Sequence, residues 1–132
     1  MQNPFKPGDQ KVYEITVSER DVASFEAEFV HPVYATFALS RDIEWACRLF
    51  VLEMKEEDEE GIGTMITVEH LSPALVGSRV KIIATAESIE KNEIICTYEA
   101  YVGDRKIAHG RQGQKILKKE KISKLFDSLN KE

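Results

Sequence analysis

A long apolar helix followed by strands of alternating polarity is the feature that most constrains the fold of this chain. From Ala38 to Glu57, apolar residues recur at helical spacing, which predicts about five turns ending in the acidic run 56–60. One wide face of this helix carries Leu39, Ile43, Ala46, Cys47, Phe50, Val51 and Met54, and the other carries Trp45, Leu49 and Leu52. A helix that is apolar nearly all round is expected to be buried.

Four successive strands are predicted after this helix, each with alternate residues facing the core. Their inward residues are Ile62, Thr64, Ile66, Val68 and His70 in the first, Val80, Ile82, Ala84 and Ala86 in the second, and Ile94, Cys96, Tyr98, Ala100 and Val102 in the third. The fourth covers residues 106–117, and an earlier strand covers 12–17. A C-terminal amphipathic helix carries Ile122, Leu125, Phe126 and Leu129 on one side. These elements predict an α+β fold with the long helix against a curved antiparallel sheet.

Size and charge exclude several classes of protein. The 132 residues suit a single domain over 1–132, and 42% hydrophobic with 31% charged residues is ordinary for a folded soluble chain. A net charge of −5 offers no overall electrostatic footprint for nucleic acid. The sequence contains no apolar stretch long enough for a membrane span and no secretory signal at residues 1–8, so we expect a cytoplasmic protein. Cys47 and Cys96 lie in apolar contexts, and neither a metal site nor a cofactor is expected.

Three polar residues stand where chemistry is plausible. His70 is in phase with the inward residues of its predicted strand, and Glu44 lies at the margin of the buried helix face, where partial desolvation is expected. Thr36 comes just before the predicted helix, where its hydroxyl can cap backbone amides or meet a ligand. Taken singly, each has a more frequent structural interpretation: a satisfied core histidine, a surface carboxylate and a helix cap. Three arginines and three lysines could meet phosphates, and each can equally be read as part of a solvated strand face: Arg79, Lys81, Arg105, Lys106, Arg111 and Lys115.

Taken together, several segments resemble the fluoroacetyl-CoA thioesterase-like branch of the hotdog-fold superfamily. They are Ala35-Thr36, residues 43–46, Gly63, residues 68–73 with Gly77 and Val80, and residues 108–110. The most specific part is a Thr before the helix, a Glu eight residues later and a His on the following strand. The resemblance implies a long central helix wrapped by an antiparallel sheet, and a homodimer whose sheets pair edge to edge. It also implies that acyl-CoA binds at the subunit interface.

The resemblance also assigns residues to roles. Thr36, Glu44 and His70 match the catalytic residues of the family, and we predict a substrate-binding role for Gly63, Gly77, Arg79, Arg111 and Gln114. The chain departs from the family late in the sequence. Related sequences often read Gly-x-His-x-Arg there, whereas this chain has Gly110, Gln112 and Gln114. Nothing in the sequence assigns fluoroacetyl-CoA itself as the substrate.

The expected function is therefore hydrolysis of a small acyl-CoA thioester. Glu44 acts either as general base or as nucleophile through a transient anhydride, and both remain open. His70 positions or activates water, while Thr36 orients Glu44 or the substrate. Two alternatives remain: a non-catalytic module that binds acyl-CoA or a related metabolite, and a purely structural dimer.

Overall fold

One antiparallel sheet packs against a single long helix in the computed structural model, which describes residues 1–25 and 28–131, with side chains for 1–22 and 32–131. In chain order the elements are β1 (Gln10–Thr16), a 3-10 turn (Glu19–Asp21), β2 (Val22–Phe25), β3 (Glu28–Tyr34), α1 (Thr36–Met54), β4 (Glu59–Ile66), β5 (Glu69–His70), β6 (Arg79–Glu90), β7 (Glu93–Val102), β8 (Arg105–Lys118) and α2 (Lys119–Leu129). The α+β prediction is confirmed. None of the helices in the described ranges is both long enough and apolar enough to cross a membrane.

The order of the strands places β1 and β4 at the edges of the main sheet. That order is β1-β6-β7-β8-β4, with β5 also paired to β8, while β2 and β3 form a separate two-stranded sheet. β6, β7 and β8 follow one another through tight turns, as the alternation of the sequence predicts. The first of these turns is at Lys91, which has a φ of 54°. The segment around His31 and Pro32 belongs to β3.

The core lies between α1 and the inward faces of β6, β7 and β8. The helix contributes Leu39, Ile43, Ala46, Cys47, Phe50, Val51 and Met54, all buried. The sheet contributes Val80, Ile82, Ala84 and Ala86 from β6, and Ile94, Cys96, Tyr98 and Ala100 from β7. The sequence predicts that these residues face inward, because side chains return to the same face about every 3.6 residues in a helix and every second residue in a strand.

The prediction that the helix is buried nearly all round was wrong. Phe37, Trp45 and Leu52 are exposed by 58%, 42% and 41%. The sheet covers only one side of α1, so the second apolar face remains at the surface of a single chain. The helix also begins at Thr36 and ends at Met54, earlier than Glu57, because Lys55 takes an extended conformation.

Part of the acidic run 56–60 belongs to strand β4. Glu59 and Glu60 belong to β4, and Glu59 is buried. A carboxylate oxygen of Glu59 accepts a hydrogen bond from the backbone N–H of Glu56 at 2.9 Å. This bond closes the turn that leads from α1 into the edge strand.

Strand β4 contains a bulge that changes which side chains face the core. Gly63 pairs with Gln114 and Met65 pairs with Gly113, so Thr64 is an extra residue opposite β8. One extra residue moves those after it to the other face of a strand, and the break between β4 and β5 interrupts the alternation again. Ile66 and His70 are exposed for this reason, and the prediction that they face inward was wrong.

Candidate active site

Helix α1 lies along the sheet edge formed by β4 and β5, and this seam holds all three predicted catalytic residues. The chain turns back after the helix, so β4 and β5 run past α1 in the opposite direction. Gly63 is consequently beside Glu44 in the middle of the seam, and His70 is beside Thr36 at the start of the helix.

Thr36 and His70 are in direct contact. The hydroxyl oxygen of Thr36 lies 2.9 Å from Nε2 of His70. Thr36 is the first residue of α1 rather than its cap, since Ala35 takes the cap position and no capping bond from a side chain is present there in the described structure. Of the two roles considered for this hydroxyl, capping of backbone amides is therefore wrong. The two side chains open onto a cavity of about 360 Å³ that is also lined by Tyr34, Leu39, Ser72, Pro73, Ala74 and Ile107.

Glu44 lies over Gly63 in a second groove along the same seam. A Cβ atom on Gly63 would be 2.6 Å from Oε1 of Glu44, so only glycine leaves room for the carboxylate in this position. Glu44 is exposed, and the expectation of partial desolvation is wrong for a single chain. The groove measures about 350 Å³ and is lined by Phe37, Ser40, Arg41, Glu44, Gly63, Met65, Ile66 and Gln112.

Two glutamines of β8 form the floor beneath Glu44. Gln112 and Gln114 are each only 2% exposed. Nε2 of Gln114 donates to the backbone carbonyl of Glu44 at 3.2 Å and to Oε1 of Gln112 at 3.1 Å. The pair thus fixes the position of Glu44 on the helix with neutral hydrogen bonds.

Glu44 does not reach the other two catalytic candidates within one chain. None of the hydrogen bonds among the described residues joins Glu44 to Thr36 or His70. Eight residues of α-helix rise about 12 Å, which separates Glu44 from Thr36 along the axis. The structure therefore brings together Thr36 and His70, and separately Glu44 with Gly63, Gln112 and Gln114.

Three of the six predicted phosphate-binding cations form ion pairs elsewhere. Arg79 forms an ion pair with Glu14 at 2.7 Å, at the opposite edge of the sheet, and Arg111 pairs with Glu87 at 2.8 Å. Lys106 pairs with Glu99. The structure thus brings neither Arg79 nor Arg111 into the groove of Glu44.

Arg105 and Gly77 have different surroundings. Arg105 donates to the backbone carbonyl of Pro73 at 2.6 Å, beside the cavity of Thr36 and His70. Gly77 has a φ of +91°, and its backbone N–H donates to the carbonyl of Val17 at 2.8 Å, in the loop that enters β6. Gly77 therefore lies in a turn whose positive φ favours glycine, and it is not part of the seam.

An ionic cluster of two buried carboxylates and the exposed Arg41 supports the start of α1, and sequence reasoning did not single it out. Arg41 donates to Asp21 at 3.0 Å and to Asp42 at 3.1 Å, and the hydroxyl of Tyr34 donates to Asp42. Burial opposes ionisation of Asp21, but the N–H of Ser18 and the Arg41 guanidinium lower its pKa below the usual value. Burial, together with Asp42, raises the pKa of Tyr34.

The sequence does contain a signal for part of this cluster. Asp42 is three residues after Leu39 and four before Ala46, which places it in phase with the buried helix face. A charged residue in that phase must be paired. Elsewhere, among residues 1–25 and 28–131, no three His, Cys, Asp or Glu side chains converge as a metal ion requires.

A comparison with protein families identifies the chain. The sequence profile of the fluoroacetyl-CoA-specific thioesterase family matches residues 17–120. The chain belongs to this family. The protein is therefore a thioester hydrolase, as its resemblance to that family predicts. A comparison with curated protein sequences finds no significant match.

Solved structures show that this thioesterase has the hotdog fold. A thioesterase superfamily member from Thermus thermophilus is 39% identical, over 98% of this chain and 96% of that chain, with a TM-score of 0.91. A fluoroacetyl-CoA thioesterase is 24% identical over 96% and 98% of the two chains, with a TM-score of 0.86. A hot-dog-like protein from Thermanaerovibrio acidaminovorans is 18% identical over 94% and 92%, also with a TM-score of 0.86. The predicted central helix and antiparallel sheet are confirmed.

Proposed function

We propose that the protein hydrolyses a small acyl-CoA thioester at a site between two copies of the chain, with residues 1–132 acting as one hotdog domain. The observation that carries this proposal is the seam between α1 and the β4–β5 edge, which holds the Thr36–His70 contact and the carboxylate of Glu44. A fluoroacetyl-CoA thioesterase in this fold has been crystallised in mutant form with acetyl-CoA, and another mutant with fluoroacetate and CoA. Those ligands support CoA thioesters as the substrate class.

Glu44 supplies the chemistry in this proposal. As a general base it takes a proton from water while the water oxygen attacks the carbonyl carbon. As a nucleophile its oxygen attacks directly and forms an anhydride, which water then hydrolyses. In either route the carbon–sulfur bond breaks and the CoA sulfur takes up a proton. His70 and Thr36 hydrogen-bond the carbonyl oxygen or the leaving group.

A second copy of the chain would bring these residues together. In the described structure, β4 pairs with β8 on one side only, and the exposed side chains of Phe37 and Trp45 line grooves together with residues of β4. Antiparallel pairing of two β4 strands about a two-fold axis near Ile66 would place Gly63 of one copy opposite Glu69 of the other. Glu44 would then approach His70 across the interface, which overcomes the separation within one chain.

Hydrolysis of a panel of acyl-CoA thioesters tests the activity. Release of the CoA thiol is measured with substrates of increasing acyl length and with charged and neutral acyl groups. We expect turnover of at least one short acyl-CoA. Absence of thiol release for every substrate, with no rise in melting temperature on adding them, would contradict both hydrolysis and binding.

Mixed dimers test the shared site. In this proposal the Glu44→Gln protein and the His70→Ala protein are each inactive alone. When equal amounts of the two are refolded together, random pairing makes about half of all dimers mixed. Each mixed dimer regains one intact site if Glu44 and His70 come from different copies, so about a quarter of parental activity returns. No activity returns if each site is built from a single chain. Sedimentation at micromolar concentration checks the dimer itself, and a stable folded monomer would exclude it.

The floor of the Glu44 groove favours one alternative function. Gln112 and Gln114 stand where related sequences often carry His and Arg, so this chain has no charged side chain there. A binding module without turnover is therefore the second candidate. It is indicated if an acyl-CoA raises the melting temperature and is recovered intact.

A further inference from the structure

We infer that Gln112 holds the attacking water against Glu44, which makes Gln112 a catalytic residue and Glu44 a general base. This inference rests on the proposed thioesterase function and deepens it. It starts from the hydrogen bonds of the two buried glutamines, which determine the direction in which each amide points.

The orientation of the Gln114 amide follows from its partners. The backbone carbonyl of Glu44 can only accept a hydrogen bond, so the group 3.2 Å away must be the NH₂ of Gln114. The same nitrogen donates its second hydrogen to Oε1 of Gln112 at 3.1 Å. The oxygen of Gln112 is thereby committed to Gln114, and its own NH₂ group is directed away from that bond.

The NH₂ group of Gln112 lies at the groove that also contains Glu44 and Gly63. Gln112 is 2% exposed yet lines the same groove as Glu44 and Gly63. None of the hydrogen bonds found among the described residues uses Nε2 of Gln112 as donor, and no fully buried side-chain donor there lacks a partner. This nitrogen consequently reaches the surface of the groove with its hydrogens available to a bound molecule.

The Gln112 amide and the Glu44 carboxylate both lie close to Gly63. The position of a Cβ atom on Gly63 is 2.6 Å from Oε1 of Glu44 and 3.8 Å from Nε2 of Gln112. The space above this glycine is thus close to both a hydrogen-bond acceptor and a hydrogen-bond donor. A water molecule fits this pair of groups, because it donates a hydrogen to the carboxylate and accepts one from the amide.

This geometry supports a direct attack by water. The carboxylate of Glu44 removes one proton from the water, and the water oxygen forms a bond to the thioester carbonyl carbon. The carbon–sulfur bond then breaks, and the proton on Glu44 passes to the CoA sulfur. The products are one carboxylic acid and one CoA thiol, so the atoms balance. The neutral Gln112 donor orients the water without forming an ion pair with the base.

Substitution of Gln112 by Met and by Glu tests the inference in the dimeric protein. Gln112→Met keeps the length and removes the donor, so we expect kcat to fall by about 10- to 100-fold with KM within about 3-fold. Gln112→Glu places a second carboxylate beside Glu44, and two neighbouring carboxylates disfavour each other's ionisation. The acidic limb of the plot of kcat against pH should therefore move to higher pH by about one unit. The matched control is Gln10→Met, a glutamine on the exposed strand β1 that bonds Thr85 and should leave kcat unchanged.

Several outcomes overturn the inference. A Gln112→Met protein with the same kcat as the parent would exclude a role for the amide in catalysis. So would a Gln112→Glu protein whose kcat depends on pH as in the parent. If Gln112→Met does not fold, the result for Gln112→Glu decides. Single-turnover hydrolysis in water labelled with heavy oxygen tests whether Glu44 is the general base or the nucleophile. Label found in the Glu44 peptide requires an anhydride and would exclude the general-base route. If the parent protein hydrolyses no acyl-CoA, the proposed function fails. If the parent is active and the Gln112 variants are equally active, only the inference about Gln112 fails.

Discussion

The hydroxyl oxygen of Thr36 lies 2.9 Å from Nε2 of His70 and joins the first turn of α1 to strand β5. A hydroxyl can donate or accept, so it accommodates either tautomer of the imidazole. The contact holds the ring of an exposed histidine in one orientation. We expect this orientation to matter for catalysis more than for stability, because hydrogen bonds at exposed sites add little to the free energy of folding.

Thr36→Val removes the hydroxyl and keeps the shape of the side chain. We expect kcat to fall by about 10-fold or more, while the free energy of unfolding changes by less than about 1 kcal/mol. Thr36→Ser keeps the hydroxyl and should retain most of the activity. Kinetics of Thr36→Val, His70→Ala and the double variant check the coupling, and strictly multiplicative losses would show that the two residues act independently.

Glu44→Gln removes the base or nucleophile and keeps the size of the side chain. We expect turnover to fall by about 10²- to 10⁴-fold, with substrate affinity within a few-fold and the dimer intact. Steady-state kinetics and sedimentation measure these quantities. His70→Ala should also impair turnover. A Glu44→Gln protein that hydrolyses acyl-CoA as fast as the parent would contradict the mechanism.

Gly63→Ala pushes a methyl group into the space occupied by the Glu44 carboxylate. The new Cβ would be 2.6 Å from Oε1, so the flexible side chain of Glu44 must move. We expect kcat to drop by about 10-fold or more with little change in melting temperature, because the obstructing atom is the end of a side chain. Adding Glu44→Asp withdraws the carboxylate by one methylene. Partial recovery of activity in the double variant would support the steric cause, and unchanged kcat in Gly63→Ala would refute it.

Arg105, one of the predicted phosphate-binding residues, bonds to Pro73 in the wall of the Thr36–His70 cavity. It forms no ion pair with a carboxylate of the described chain, and it donates to the carbonyl of Pro73 at 2.6 Å. We expect Arg105→Gln to weaken CoA binding by about 3- to 10-fold and to reduce the salt dependence of that binding, since such contacts are screened over about 8 Å. Arg79→Gln, at the opposite sheet edge, is the matched control. Equal affinities for CoA and pantetheine thioesters at all salt concentrations would show that no cation binds the phosphates.

Asp21 links stability to pH through its ion pair with Arg41. Its pKa is lowered in the folded protein, so its ionisation stabilises the fold above the unfolded pKa of about 3.9, and this contribution is lost as the pH falls through the folded pKa. Asp21→Asn should therefore reduce the free energy of unfolding at pH 7 by about 1 to 3 kcal/mol. The difference between variant and parent should shrink below about pH 4. Urea unfolding at both pH values measures it, and a pH-independent difference would exclude the charge as the cause.

The positions of the helices and strands could be predicted from the sequence because they depend on local periodicity. Leu39, Ile43 and Phe50 on α1 and Val80 and Ile82 on β6 are buried as their spacing predicts. The order of a Thr, a Glu and a His along the chain also placed it in a thioesterase family, which the comparison with known families confirms.

The surroundings of the catalytic candidates could not be predicted in the same way. The extra residue Thr64 in β4 and the break after Ile66 place His70 at the surface, and both depend on pairing with β8, which is distant in the sequence. The glycine beneath Glu44 is a neighbour in space and not in sequence.

The sequence by itself determined the α+β architecture, the residues of the core and the family, because a repeating pattern and an ordered set of residues can be recognised along the chain. Only the tertiary structure decided that Thr36 meets His70, that Glu44 lies apart from both, and that Gln112 and Gln114 form the floor beneath it. The physical reason is that such contacts depend on strand register and helix placement, which bring together residues up to 70 positions apart.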